Sequence, residues 1–301
     1  ETAHRAAQFA KAFRGEKLGW AAGVLHDIGK YSRQFQDRLR GAAIRVDHST
    51  AGAQEAKRLY RKHPAGYILA YIIAGHHSGL PDFGSPADEA ALAARLNKAI
   101  PPFDAYREEI DTTFADEPPG KLPLRPNPQS PGFSVQFFVR MLFSCLVDAD
   151  FLDTEAAVNP EQAERRGGYP GIAELVERLD QYLNARFSRV DTTRINQLRA
   201  DILRRCRESA ILPPGLYSLT VPTGGGKTLS SLAFALNHAK AHGLQRVIYV
   251  IPYTSIIEQN ADVFRKALGE DCVLEHHSNF QFADESDESN LDYRLRLATE
   301  N

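Results

Sequence analysis

In the stretch "GWAAGVLHDIGK", His26 and Asp27 close an apolar run that extends from Trp20 to Leu25. An ionised carboxylate at the edge of a buried segment is costly unless a cation answers it. Two metal ions held close together supply that cation, with Asp27 between them and His26 on one. Further donors recur along the chain. "VDHSTAGAQ" offers His48 at a helix start, "IIAGHHSGL" offers His76 and His77 at the end of an apolar helix, and "LVDADFLDTE" offers Asp148 and Asp150 on a later helix. Imidazoles mixed with carboxylates suit Fe, Mn, Co, Ni or Zn better than Ca. Each residue alone has an ordinary explanation, as a hydrogen-bonded core histidine or a surface charge. The ordered set of H-D, H, H-H and D, each on a helix, is what points to a metal centre.

A second chemistry sits in "VPTGGGKT", residues 221–228. A Gly-rich turn between a strand and a helix cradles phosphate with backbone N–H groups. Lys227 places a charge on the β- and γ-phosphates, and Thr228 offers a hydroxyl to Mg²⁺. Thr223, Gly224, Gly225 and Gly226 complete the nucleotide-binding set. Val221 stands where the strict consensus has Gly. No DExH box follows in this sequence, and its one DExD string, residues 284–287 within "FADESDESN", reads as part of a solvated acidic loop. Hydrolysis of ATP needs an acidic residue to hold Mg²⁺ and orient water, so this stretch alone binds nucleotide weakly and is no motor.

The elements that must position these groups are mostly helical in the first two thirds. Apolar residues recur at three- and four-residue spacing in 3–13, 51–60, 67–73, 87–96, 134–152 and 172–187. Pro64 stands at a helix start, and Gly29 and Gly75 at helix stops. On a continuing helix, the side chains of His26 and Asp27 point about 100° apart. Residues 116–132 hold six prolines and read as a loop. After a helix at 195–207 the texture changes: 216–221 reads as a strand, 228–243 as a helix, 246–252 as a buried strand and 255–269 as a helix. That βαβ order predicts a parallel sheet. The expected division is therefore a helical domain over 1–190 and an incomplete α/β domain over 191–301.

Composition narrows the class without naming an activity. Apolar residues are 43% and charged residues 25% of 301, as in ordinary globular proteins. Lys plus Arg (36) nearly balance Asp plus Glu (38), so any basic groove must be local. Cys145, Cys206 and Cys272 form no CxxC pattern and read as reduced cytoplasmic thiols. No apolar run is long enough for a membrane span, since Phe137–Val147 is broken by Arg140, and no signal peptide is present. The chain starts at Glu1 without Met, inside a helical pattern, and reads as a fragment of a longer protein.

The order of the His and Asp set resembles the HD phosphohydrolase superfamily. The words "GVLHDIGKYSRQFQDRL", "DHSTAGAQ", "GHHSGLPD" and "DADFLDTE" resemble the HD nuclease domain of the nuclease-helicases of type I CRISPR systems, with "DADFLDTE" leaning toward subtype I-C. "PTGGGKT" resembles motif I of superfamily 2 helicases, and "RVIYVIPYTSIIEQNADVF" the following motif, with Thr254, Ser255 and Gln259 as phosphate contacts or helix-capping residues. The resemblance implies a mostly α HD domain followed by part of a RecA-like P-loop domain. It implies two divalent ions (Fe, Mn, Co, Ni or Mg) held by His26, Asp27, His48, His76, His77 and an Asp of "DADF". Asp150 is preferred because "ADFL" matches the family pattern, with Asp148 the runner-up. Lys30 matches the HDxGK lysine and either neutralises phosphate or is a surface residue. The family's first-helix histidine would fall just before Glu1, and His4 is in the wrong register to replace it. The implied activity is metal-dependent cleavage of single-stranded DNA, coupled in the whole protein to an ATP- and Mg-dependent helicase. The implied partner is a Cascade-type guide-RNA surveillance complex, and the chain is expected to be a cytoplasmic monomer. Two alternatives remain open: an HD phosphohydrolase of nucleotides, and a nucleic-acid-binding fragment with an idle metal site. His276 and His277 are read as non-ligands, and "FADESDESN" as a solvated acidic loop.

Overall fold

A computed structural model describes residues 1–116, 121–164, 169–188, 191 and 193–277. The acidic loop expected at 282–290 lies outside them. The chain divides into two compact units, Glu1–Arg165 and Arg166–Asn301.

In the first unit, α1 (Thr2–Ala10) packs on α2 (Glu16–Leu25), and α4 (Ser49–Leu59) on α5 (Ala65–Gly75). Between the pairs lie a 3₁₀ turn, Ile28–Tyr31, and the short α3 (Arg33–Leu39), whose N-cap Ser32 accepts a hydrogen bond from Phe35 N. Pro64 sits at the N-cap of α5 and Gly75 is its last residue, so the sequence stops fall where the spacing puts them. The sequence of α5, "AGYILAYIIAG", is apolar nearly all round because the helix is buried. The long α7 (Pro131–Val158), followed by the short α8 (Pro160–Glu164), opens on a proline, which fits the first turn where an N–H has no helical partner. Phe138, Leu142, Cys145, Leu146 and Ala149 form its buried face. The first four of these join Leu18, Leu25, Ile28, Leu69, Ile72 and Ile73 in one core. Each fully buried Leu or Ile contributes about 1.5–3 kcal/mol.

The helix expected over 87–96 is shorter: α6 spans Leu92–Asn97. Ahead of it, Ser85 Oγ accepts from Ala87 N and Asp88 Oδ1 from Ala90 N. Those local side-chain bonds compete with the helix ladder and hold the segment in turns.

The second unit contains α9 (Ile172–Phe187), α10 (Arg194–Ser209), α11 (Lys227–Ala241) and α12 (Thr254–Leu268). Val176, Leu179, Leu183, Leu203, Leu232, Leu236 and Phe264 make its core. Within this unit α9 packs with α11 and α12. The expected parallel sheet is the main correction. Neither 216–221 nor 246–252 is a strand among the described residues. A strand exists through ladder bonds to a neighbour, and a parallel one needs both faces covered. Here Leu216, Ile248 and Val250 are 105%, 77% and 90% exposed, so the apolar pattern is present without the pairing it requires.

Candidate metal centre

Helix α2 ends at Leu25, and the chain leaves α geometry at once. His26 is the C-cap, and Asp27, at φ −110° and ψ 6°, leads into the 3₁₀ turn. This corrects the expectation for a continuing helix: the two adjacent side chains converge, with His26 Nε2 3.2 Å from Asp27 Oδ2. Close backbone approaches then bring in α4. A Cβ on Gly29 would lie 2.1 Å from the His48 carbonyl oxygen, and one on Gly52 2.2 Å from that of Leu25. Only glycine permits those distances, which seat His48 beside the HD turn.

Six side chains from four segments meet there. His48 Nε2 lies 3.3 Å and His76 Nε2 3.8 Å from Asp27 Oδ1. His48 Nε2 and His77 Nε2 face each other at 2.9 Å. Asp150, on α7, puts Oδ1 3.4 Å from His26 Nε2. The donor atoms fall into two groups, Asp27–His48–His76–His77 and His26–His76–Asp150, each with all its atoms within 4.8 Å of one another. His76 belongs to both. Asp148 is in neither group, and His4 packs edge-on against Trp20 with ring centroids 4.6 Å apart.

The donor atoms fit divalent cations. Metal–ligand bonds of about 2.0–2.2 Å place neighbouring ligand atoms about 2.9–3.5 Å apart, close to the separations found here. His26 Nδ1 lies 2.8 Å from Gly23 O, and His76 Nδ1 2.7 Å from Ile73 O. A carbonyl only accepts, so each Nδ1 carries the proton and each Nε2 presents its ligand face to the cluster. His26 Nε2, His76 Nε2 and Asp27 Oδ1 are buried without a hydrogen-bond partner, although charged atoms lie within 4 Å. Buried polar atoms left without a hydrogen-bond partner are ones that a cation held among them would satisfy.

The electrostatics agree. Burial opposes ionisation of Asp27, yet His26, His48 and Lys30 hold its pKa far below the carboxylate range. Burial likewise opposes charge on His26, but Asp150 and Asp27 raise it to about 9, so a proton sits where a cation would compete for the lone pair. His76 is pushed down to about 4 by burial and by the neighbouring His26 and His77, which keeps it neutral. His77 is lowered by burial and by His48. Asp150 is lowered chiefly by the neighbouring His26. Lys30 Nζ lies 2.5 Å from Asp27 Oδ2 and is 42% exposed, so the cluster opens toward solvent on the Lys30 and His77 side.

Sequence reasoning missed the supports around these donors. Asp47 accepts from Thr50 N at 3.1 Å and so caps α4 directly before His48. Asp153, one turn after Asp150, accepts from Thr2 N at 3.0 Å and Thr2 Oγ1 at 2.6 Å and ties α7 to α1. The capping signal was readable in "DHST"; the Thr2–Asp153 pair, 151 residues apart, had no local signal.

In the second unit, Thr223–Gly226 form the turn that enters α11, with Gly226 as its N-cap at φ 81°. Lys227 and Thr228 are its first residues, and no acidic side chain stands in that turn. Arg199 of α10 donates to Gly224 O at 2.9 Å, a contact the sequence did not announce. His277, half-buried, falls in a third donor group with the buried Glu275 and the exposed Glu258, and Arg265 Nη2 donates to Glu275 Oε2 at 2.7 Å. A guanidinium already balances that carboxylate.

Residues 1–106 match the family described as the HD domain, an interval that includes His26, Asp27, His48, His76 and His77 but not Asp150. Residues 196–299 match the family described as type III restriction enzyme, res subunit. The chain is 23% identical over 301 residues to the CRISPR-associated nuclease/helicase Cas3 of Haloferax volcanii, an alignment covering 81% of this chain and 32% of the relative. The chain thus spans about a third of the length of the curated relative it matches.

Proposed function

We propose that the first unit is a metal-dependent nuclease centre for single-stranded DNA, and that the second begins a nucleotide-driven helicase domain of the same protein. The observation that carries the reading is the convergence of six His and Asp side chains from four segments on two adjacent donor groups. The groups Asp27–His48–His76–His77 and His26–His76–Asp150 would each hold an ion, with His76 serving one of them through its single free Nε2. Bound there, divalent ions supply Lewis acidity for a scissile phosphate and for an attacking water.

The chain's own residues set the rest. Gly23 O and Ile73 O orient the imidazoles of His26 and His76. Lys30 brings positive charge to the open side, where phosphodiester charge can be met. That open side suits an extended strand held through its phosphates, with little base reading. The name of the Haloferax volcanii relative, a CRISPR-associated nuclease/helicase, supports coupling to a helicase; in this reading a guide-RNA complex would expose the strand. Thr223–Thr228 would hold ATP and Mg²⁺ through the turn at the start of α11. Cys145, Cys206 and Cys272 are free thiols, and among the described residues no helix is long and apolar enough to cross a membrane.

The test is cleavage of circular single-stranded DNA by the purified chain loaded with Mn²⁺, Co²⁺ or Ni²⁺, alongside its metal content. Two ions per chain with cleavage lost in Asp27→Ala supports the nuclease. Cleavage that persists in Asp27→Ala refutes it. Hydrolysis of mononucleotides without strand cleavage moves the assignment to a nucleotide phosphohydrolase.

A further inference from the structure

Arg95, on α6, is mostly buried, with 13% of its side chain exposed. Its fork spans two chain segments. Nε donates to Thr50 Oγ1 at 3.0 Å, and Nη2 to Ser49 Oγ at 2.7 Å and Asp47 Oδ1 at 3.3 Å. Nη1 donates to the Ala74 carbonyl at 2.5 Å. The first three acceptors flank His48 at the start of α4; the fourth lies two residues before His76 at the end of α5. One guanidinium therefore joins the two segments that carry His48, His76 and His77. Gln54 fixes α6 in turn, donating to the carbonyls of Arg95 and Lys98 at 2.8 Å each.

We propose that Arg95 is a positioning residue for the metal centre, setting the distance between His48 and the His76–His77 pair without touching an ion. The inference rests on the metal-centre reading above. A buried guanidinium is costly unless its donors are satisfied, and here they are satisfied by groups that immediately flank ligand residues. Its planar fork presents five donors in fixed directions; a lysine ammonium is a point charge on a flexible stem and cannot hold acceptors on two segments in one geometry. Outer partners of this kind weaken metal binding roughly 10- to 100-fold when removed. The loss falls on the group containing His48 and His77, while His26 and Asp150 are held by α2 and α7.

The experiment is a Co²⁺ titration of the full chain, followed by visible absorption and by metal content after gel filtration, with circular dichroism as the folding check. Wild type is expected to bind two ions. Arg95→Met keeps one tight site and weakens the other by roughly 10- to 100-fold, with a changed cobalt spectrum. Arg95→Lys keeps the charge, lacks the fork and stays weak. Should Arg95→Met fail to fold, Ser49→Ala removes one acceptor with little change in volume, and it is expected to weaken the same site alone. Two wild-type sites in Arg95→Met, equal loss at both sites, full recovery by lysine, or an unaltered Ser49→Ala each overturn the role of Arg95 while leaving the metal centre standing. A wild-type chain that binds no cobalt overturns the metal centre and this inference with it.

Discussion

Replacing Gly29 by alanine tests how the centre is assembled, because the perturbation is one methyl group at a known place. Gly29 has no positive φ, so alanine adds no backbone strain there. Its Cβ would lie 2.1 Å from the His48 carbonyl oxygen and 2.7 Å from both His48 C and Cα. All three are backbone atoms, which no rotamer change can move. Ordinary contact begins near 3.4 Å, so the His48 backbone must retreat by about 1.3 Å. His48 Nε2 now stands 3.3 Å from Asp27 Oδ1 and 2.9 Å from His77 Nε2. Ligand distances tolerate only about 0.2 Å, so a shift several times larger removes His48 from a shared ion. Overpacking itself costs about 1–3 kcal/mol, which leaves a domain of this size folded. Gly29→Ala should therefore keep its helical circular dichroism, melt a few degrees lower, lose one of two bound ions and lose strand cleavage. Gly132→Ala is the matched control: its Cβ meets nothing within 4 Å, and its metal content should be unchanged. Two tightly bound ions in Gly29→Ala would refute the claim that this approach positions His48.

Glu55 is buried against Arg58 at 2.6 and 2.8 Å and accepts from Tyr106 Oη. Burial opposes its ionisation, but Arg58 and Tyr106 hold its pKa below the usual value of 4.5. A depressed folded-state pKa gives stability that is present above about pH 4.5 and lost as pH falls through the folded value. Glu55→Gln should therefore cost about 1–3 kcal/mol at pH 7, and the gap to wild type should close on acidification below pH 4.5, read from urea midpoints at each pH; a gap independent of pH refutes the assignment. Leu69→Ala, at a fully buried position of α5, should destabilise the first unit by about 2–5 kcal/mol in denaturant melts, and a cost under 1 kcal/mol would contradict the packing described. Lys227→Ala should weaken binding of a fluorescent ATP analogue by roughly 10-fold or more, since a charge-assisted contact is worth about 1.5–3 kcal/mol; equal binding would remove the phosphate role of the α11 turn.

Much of the candidate site was legible in the sequence, because ligand chemistry resides in residue types and helices write their period locally. The donors His26, Asp27, His48, His76 and His77 could be picked out by type and order, and the spacing located α4, α5, α9 and α10 within a few residues of where they lie. Folding alone decided how these pieces meet. Asp148 and Asp150 stand about 200° apart around α7, and the burial of Phe138, Leu142, Leu146 and Ala149 determines that Asp150 turns to His26. The convergence of His26 with Asp27 depends on where α2 stops, and the bridge made by Arg95 depends on a segment 48 residues from Asp47. The segments 216–221 and 246–252 show the same limit from the other side: their apolar runs are strand-like in the sequence, yet neither becomes a strand among the described residues. Helical bonds close within four residues and so follow from local sequence. Ladders, ion pairs and ligand shells join residues far apart in the chain, and only the packed tertiary structure decides which of them form.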